Sequence, residues 1–248
     1  GLSVLSVLIR GRPEIIMGTL YVIGTPLGNS ADLSLRAIDL LTQLTYLACE
    51  DTRSTNRLLM ARAITSQKKY ISLYQEKEHA EAANIISLLK DGNDIGIMSE
   101  AGMPTISDPG SYVIAAARAA GIAVVSVPGP SAPATALAAL GFDGSRYVFC
   151  GYLPKKESEV RKQIVTWGDK LLDKPYSVVC FESSHRINDT VTAIAQAYPQ
   201  NELGICRNLT KVDELVIRGS ALELSKKIMP SDGEYTLAVF FSRARLPR

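Results

Sequence analysis

The sequence predicts an α/β fold in two parts, a mostly parallel N-terminal sheet and a mixed C-terminal sheet. Three observations lead there. From Thr19 onward, short β-branched or aromatic runs alternate with segments of helical period, the pattern of strands joined by helical crossovers. Residues 127–131 (VPGPS) then interrupt the alternation, because their prolines fit neither a helix interior nor a central strand. Beyond that break, the last two apolar runs are separated by a single short helical segment, which suits a sheet that is not wholly parallel.

Taken in order, the first unit should place strands at 19–24, 45–49, 68–73, 94–98 and 123–127, with helices at 33–43, 54–62, 80–91 and 110–120. In the second unit strands are expected at 146–150, 176–181, 202–206, 213–219 and 234–241. The expected division is an N-terminal extension at 1–17, an N-terminal domain at 18–128 and a C-terminal domain at 129–248. The apolar run that opens the chain is too short to span a bilayer, and its arginines follow the run instead of preceding it, so neither a membrane anchor nor a secretory signal is expected. Met17 reads as the functional start, with a mobile extension before it.

Composition narrows the function classes. A chain of 248 residues can bury a core large enough for an interdomain cleft, and a formal charge of +2 does not support wholesale electrostatic binding of nucleic acid, so any basic surface must be local. Cys49, Cys150, Cys180 and Cys206 lie far apart and each ends an apolar stretch, as buried reduced thiols of a cytoplasmic protein would. With His79 and His185 the only histidines, there is little material for a histidine zinc site or a Ser-His-Asp triad, and no metal is expected.

Chemistry is expected where small residues follow strands, at the carboxyl edge of the sheet. Three loops qualify: 24–29 (GTPLGN), 99–104 (SEAGMP) and the one at Pro128. Small side chains there let backbone amides and carbonyls approach a ligand, although any single loop of this kind also reads as an ordinary strand-to-helix turn. None matches a dinucleotide or P-loop fingerprint. After the second strand comes Glu50-Asp51-Thr52-Arg53, which reads equally as a helix N-terminus capped by Asp51 or Thr52 and as a pair of functional carboxylates beside an arginine.

In order along the chain, LYVIGTPLGN, LACEDTRSTNRLL, SEAGMPTISDPG, VPGPSA, GYLPKK, FESSHR and RNLTK resemble the small-subunit ribosomal RNA methyltransferase I family, a branch of the tetrapyrrole methylase superfamily. The resemblance runs from about Gly18 to the C-terminus; EDTR and the stretch from SEAG to SDPG are its most specific parts, and the first loop departs from the GxGPGD-like loop of porphyrinoid methylases. It implies two α/β domains of the tetrapyrrole methylase type with S-adenosylmethionine in the interdomain cleft. It also implies a cytoplasmic homodimer whose partner is 16S ribosomal RNA in the small subunit, methylated on the ribose 2′-oxygen of a decoding-centre cytidine.

Carried over by position, Pro26, Ser99, Gly102, Pro104 and Ser131 would line the cofactor site from the first domain, and Tyr152, Leu153, Asn208, Leu209 and Thr210 from the second. Glu50, Asp51 and Glu100 become the candidate catalytic carboxylates, with Glu100 standing where the family usually has aspartate. Arg53, Lys155, Lys156, Arg186 and Lys211 become candidate RNA contacts. For the cluster Lys155, Lys156, Arg161 and Lys162 a solvated helix face is the competing reading, and for Arg186 a surface ion pair or a contact to a dimer mate. Asn208 and Ser184 stand where glutamate and proline are commoner in the family.

Overall fold

Each of the five runs expected in the first unit is a strand in the computed structural model, which describes residues 17–169 and 174–242. Strands β1 (Leu20–Ile23), β2 (Tyr46–Cys49), β3 (Lys69–Ser72), β4 (Ile95–Met98) and β5 (Val124–Val127) form one sheet in the order β3-β2-β4-β1-β5, with every pairing parallel. A parallel sheet is covered on both faces, and alternate residues show it. Leu20, Ile95 and Ile97 pack under α3 (Glu78–Lys90) and α4 (Ser111–Ala119), whereas Ile23, Leu47 and Met98 pack under α1 (Leu35–Gln43) and α2 (Thr52–Ala61).

The helix ends are closed by neighbours as well as by their own residues. Ser34 caps α1, accepting from the Ala37 N–H at 3.1 Å, and the Lys68 ammonium donates to the carbonyls of Leu41 and Leu44 at its other end. Helix α4 starts at Gly110 with no side-chain cap of its own. The buried carboxylate of Glu78 takes that place, accepting from the N–H groups of Gly110 at 3.0 Å, Tyr112 at 2.7 Å and Val113 at 3.4 Å.

The second sheet contains β6 (Tyr147–Tyr152), β7 (Tyr176–Ser183), β8 (Glu202–Arg207), β9 (Leu215–Ser220) and β10 (Glu234–Phe241) in the order β6-β7-β10-β8-β9. Only β6 and β7 run parallel, so the sheet is mixed as the sequence predicts. Helices α6 (Glu157–Asp169), α7 (Ile187–Ala197) and α8 (Ala221–Leu224) close one face over a core that includes Ile164, Ile194, Leu237 and Phe241.

The other face is covered by α5 (Ala132–Leu140), a helix the sequence reading does not include. It begins directly after the VPGPS break with Pro133 in its first turn, where proline removes no helical hydrogen bond. Ala136, Leu137 and Leu140 of α5 pack on Val179, Cys206 and Ala238, and the same cluster takes in Leu27 from the first unit. The loop after β1 is thereby tied to the second sheet. No helix of the described residues is long and apolar enough to cross a membrane. The extension expected before Met17 and the terminal Arg243, Arg245 and Arg248 lie outside the described residues.

Candidate functional site

Strands β1 and β4 are neighbours, so the loops that leave their carboxyl ends start side by side. The Thr25 N–H donates to the Gly102 carbonyl at 2.9 Å and the Gly102 N–H donates back to Thr25 at 3.1 Å. The buried Ser99 hydroxyl also donates to the Gly102 carbonyl, at 2.9 Å, so the buried hydroxyls of this turn, Thr25 and Ser99, both have partners. The loop after β5 presses against the same ledge. A Cβ added at Gly24 would lie 2.6 Å from the Gly129 nitrogen, and one at Gly129 would lie 2.7 Å from the Gly24 carbonyl carbon, so both positions need glycine.

Across from this ledge stand β7, β10 and the loop after β8, leaving a cleft of about 180 Å³. Glu100, Gly102 and Asp108 line it from the first unit, Ser131 from the link that leads into α5, and Tyr152, Phe181, Leu209 and Glu234 from the second. A neighbouring cavity of about 350 Å³, lined among others by Pro26, Gly28, Ser54, Arg57, Ser99 and Lys211, shares Leu27, Glu100, Ala101 and Glu234 with the cleft. The two units are stitched here: the Asn29 N–H donates to the Thr210 hydroxyl at 3.1 Å, and Lys211 lies over Gly28 while pairing with Glu234 at 3.0 Å. Backbone strain gathers around the cleft. Of the five described non-glycine residues with positive φ, Thr105 and Ser107 sit in the loop after β4 and Asn208 and Thr210 in the loop after β8, and such residues concentrate at functional sites.

The cleft is acidic. Among its lining residues are Glu100, Asp108 and Glu234 but no lysine or arginine. Burial, with the charges of Glu50 and Glu100, pushes the Asp108 carboxyl up to about 6. Burial and the carboxylates of Glu50, Asp51 and Glu234 likewise raise Glu100, against a smaller opposing effect of Arg57. Burial raises the Tyr152 phenol, helped by Glu234 and Asp108. Carboxylates held above their usual range in a cleft prepare it for a positively charged ligand or for proton transfer near neutrality.

Comparison with known proteins gives this arrangement a family. The tetrapyrrole (corrin/porphyrin) methylases match residues 19–225. A ribosomal RNA small subunit methyltransferase I from Neisseria meningitidis serogroup B is 35% identical over 93% of this chain and 79% of its own length. That from Streptococcus pyogenes serotype M6 is 38% identical over 90% of this chain and 76% of its own. The chain belongs to the ribosomal RNA small subunit methyltransferase I family.

Solved structures add the fold. Uroporphyrin-III-C-methyltransferase from Thermus thermophilus superposes with a TM-score of 0.61 at 18% identity, covering 90% of this chain and 94% of that one. Diphthine synthase superposes with a TM-score of 0.65 at 12% identity, covering 90% of both chains.

Within this methyltransferase I fold, the structure brings Glu100, Gly102, Ser131, Tyr152 and Leu209 together in the cleft, and Pro26, Ser99 and Lys211 in the adjoining cavity. Other expected residues stand elsewhere. Pro104 is buried and does not line the cleft, and the Leu153 side chain belongs to the core under α6 and α7. Asn208 is buried as a turn anchor, donating to Asp213 at 2.8 Å and accepting from the Glu234 N–H at 3.0 Å. Thr210 serves the inter-loop stitch.

Asp51 adopts the capping alternative. Its carboxylate accepts from the Arg53 N–H at 2.7 Å and the Ser54 N–H at 3.4 Å, and the bond from Arg53 above all holds it below the usual carboxylate range, a poor setting for a base. Glu50 is exposed at the head of α2, and Arg53 is exposed beside Asp51 at 3.5 Å. Lys155 and Lys156 are exposed at the start of α6, where Lys156 pairs loosely with Glu159 at 3.5 Å and Arg161 with Glu157 at 2.8 Å. Arg186 makes the ion pair that the sequence left open beside an RNA contact. Its guanidinium pairs with buried Glu182 at 2.6 Å and donates to the carbonyls of Leu153 and Pro154. The sequence reading missed Asp108, Glu234 and Arg57; Asp108 and Arg57 had a local signal, lying within the SDPG and EDTRSTNR stretches quoted for the resemblance, and Glu234 had none.

Proposed function

We propose that this protein transfers a methyl group from S-adenosylmethionine to small-subunit ribosomal RNA, on the ribose 2′-oxygen of a decoding-centre cytidine, and works in the cytoplasm as a homodimer. One observation carries the reading: loops from both sheets, in a chain of this family, converge on one acidic cleft. The fit to the donor rests on the lining. Gly102 and Ala101 offer backbone without bulk, Tyr152 and Phe181 offer rings with centroids 5.4 Å apart, and Asp108, Glu100 and Glu234 offer negative charge to a cationic molecule.

Gly102, Ser131, Tyr152 and Leu209 would hold the donor, with Asp108 balancing its charge. The bound donor supplies a methyl group on a positively charged sulfur, already a good leaving group. What remains for the protein is mostly alignment, the kind of contribution that brings reacting atoms into one orientation. Glu100, on the wall common to the cleft and its neighbour, orients the acceptor hydroxyl and takes up its proton on a carboxylate oxygen, and its raised proton affinity suits that task. Leu27, Met103 and Phe181 exclude water around it.

Labelled-methyl transfer from S-adenosylmethionine to isolated small ribosomal subunits, free ribosomal RNA and a porphyrinoid precursor tests the reading. Label is expected in RNA, at a ribose that thereby resists alkaline cleavage. Label in the porphyrinoid alone, or on a base, would refute it. Light scattering tests the assembly, with a monomeric mass refuting the homodimer.

A further inference from the structure

The cavity of about 350 Å³ beside the cleft has no assigned occupant, and its chemistry differs from that of the cleft. Where the cleft lining holds acidic residues and no basic one, this cavity adds Arg57 and Lys211. Lys211 is already engaged, paired with Glu234 at 3.0 Å and laid over Gly28. Arg57 projects from α2 with neither an ion pair nor a hydrogen bond to any described residue. It lines the cavity together with Glu100, which stands on the wall that both spaces share.

We infer that this cavity seats the acceptor nucleotide, with Arg57 holding a flanking phosphate and the sugar presented to Glu100; the inference rests on the RNA-methylating reading above. A guanidinium matches phosphate with two parallel hydrogen bonds, and the hydroxyls of Ser30 and Ser54 offer further partners at the same wall. A recess of this size is too small for a duplex, so the acceptor enters unstacked from its neighbours. Occupants of the two spaces meet over Leu27, Glu100 and Ala101. That is the geometry a transfer between a cationic donor and a polyanionic acceptor requires, with unlike charges held in separate chambers.

The test uses the whole chain with purified small ribosomal subunits, measuring their binding without donor at several salt concentrations, then kcat and KM, with calorimetry of S-adenosylmethionine alongside. Arg57→Ala should weaken subunit binding and raise KM about tenfold, and lower the slope of log affinity against log salt by about one, while kcat stays within about twofold. Arg57→Lys should recover part of the affinity. Ala61→Trp, which fills the cavity from the last turn of α2, should also weaken subunit binding. Both alanine and tryptophan variants should bind the donor as the unaltered chain does. Unchanged subunit affinity and salt slope in Arg57→Ala, or loss of donor binding in Ala61→Trp, would overturn the inference. If the unaltered chain binds donor but methylates no RNA, the underlying reading fails first, and that is seen before any variant is made.

Discussion

Replacing Asp108 by asparagine should make the protein more stable and less able to bind its donor, with both effects depending on pH. The Asp108 carboxyl is pushed from the usual 3.8 to about 6 by burial and by the neighbouring charges of Glu50 and Glu100. A carboxyl whose folded value is raised lends stability that is fully present below its unfolded value and is lost as pH climbs through the folded one. Here the loss develops between about pH 4 and pH 6 and is complete near pH 7. The interval is worth about 3 kcal/mol at 1.36 kcal/mol per tenfold, and partial exposure of the side chain reduces this to about 1–2 kcal/mol. Urea unfolding should therefore show Asp108→Asn ahead by about 1–2 kcal/mol at pH 8 and level with the unaltered chain at pH 3.5. Calorimetry should show S-adenosylmethionine binding tightening from pH 5 to pH 7 in the unaltered chain, as the ionised carboxylate accumulates, and losing that dependence in the variant. An advantage for asparagine that grows on acidification, or donor binding indifferent to pH in both proteins, would refute the reasoning.

Three further outcomes follow from the geometry. Glu78→Ala strands the first N–H groups of α4 and should lower unfolding free energy by about 2–3 kcal/mol in urea, with Glu78→Gln losing less. Gly129→Ala forces apart the loops after β1 and β5 and should lower stability by about 1–3 kcal/mol, with a weaker calorimetric response to the donor; unchanged donor affinity would show that the ledge does not shape the cleft. Arg186→Ala leaves Glu182 buried without its partner and should lower stability by about 2–3 kcal/mol, while subunit affinity and its salt slope stay unchanged, as they would not if Arg186 met RNA.

All ten strands were legible because their signal is local. Runs such as LYVI and IGIM are apolar over the length of one buried strand, and a parallel sheet covered on both faces asks for nothing else. Helix α5 escaped because its segment is nearly all alanine, leucine and proline, with no polar face to mark a period, and because prolines just before it read as a stop. The loops of the site were legible through their small residues, yet side-chain assignments within them were less so. Leu153 is one step past a half-exposed strand and turns to the far core, and Asn208 spends its amide on its own turn. Charge segregation between cleft and cavity was invisible, because Asp108, Glu234 and Arg57 come from three distant segments and acquire a common meaning only when the sheets face each other.

Strand β10 follows every other described strand in the sequence, yet it lies in the middle of its sheet, between β7 and β8. Until it is inserted, both neighbours carry an unpaired edge, and Glu234, Tyr235 and Thr236, which it brings to the cleft wall, are missing. During synthesis the nascent chain can thus assemble the first sheet while the pocket is still open on one side. Competence to capture a ligand arrives only with β10, so a polypeptide cut short before it should bind no donor.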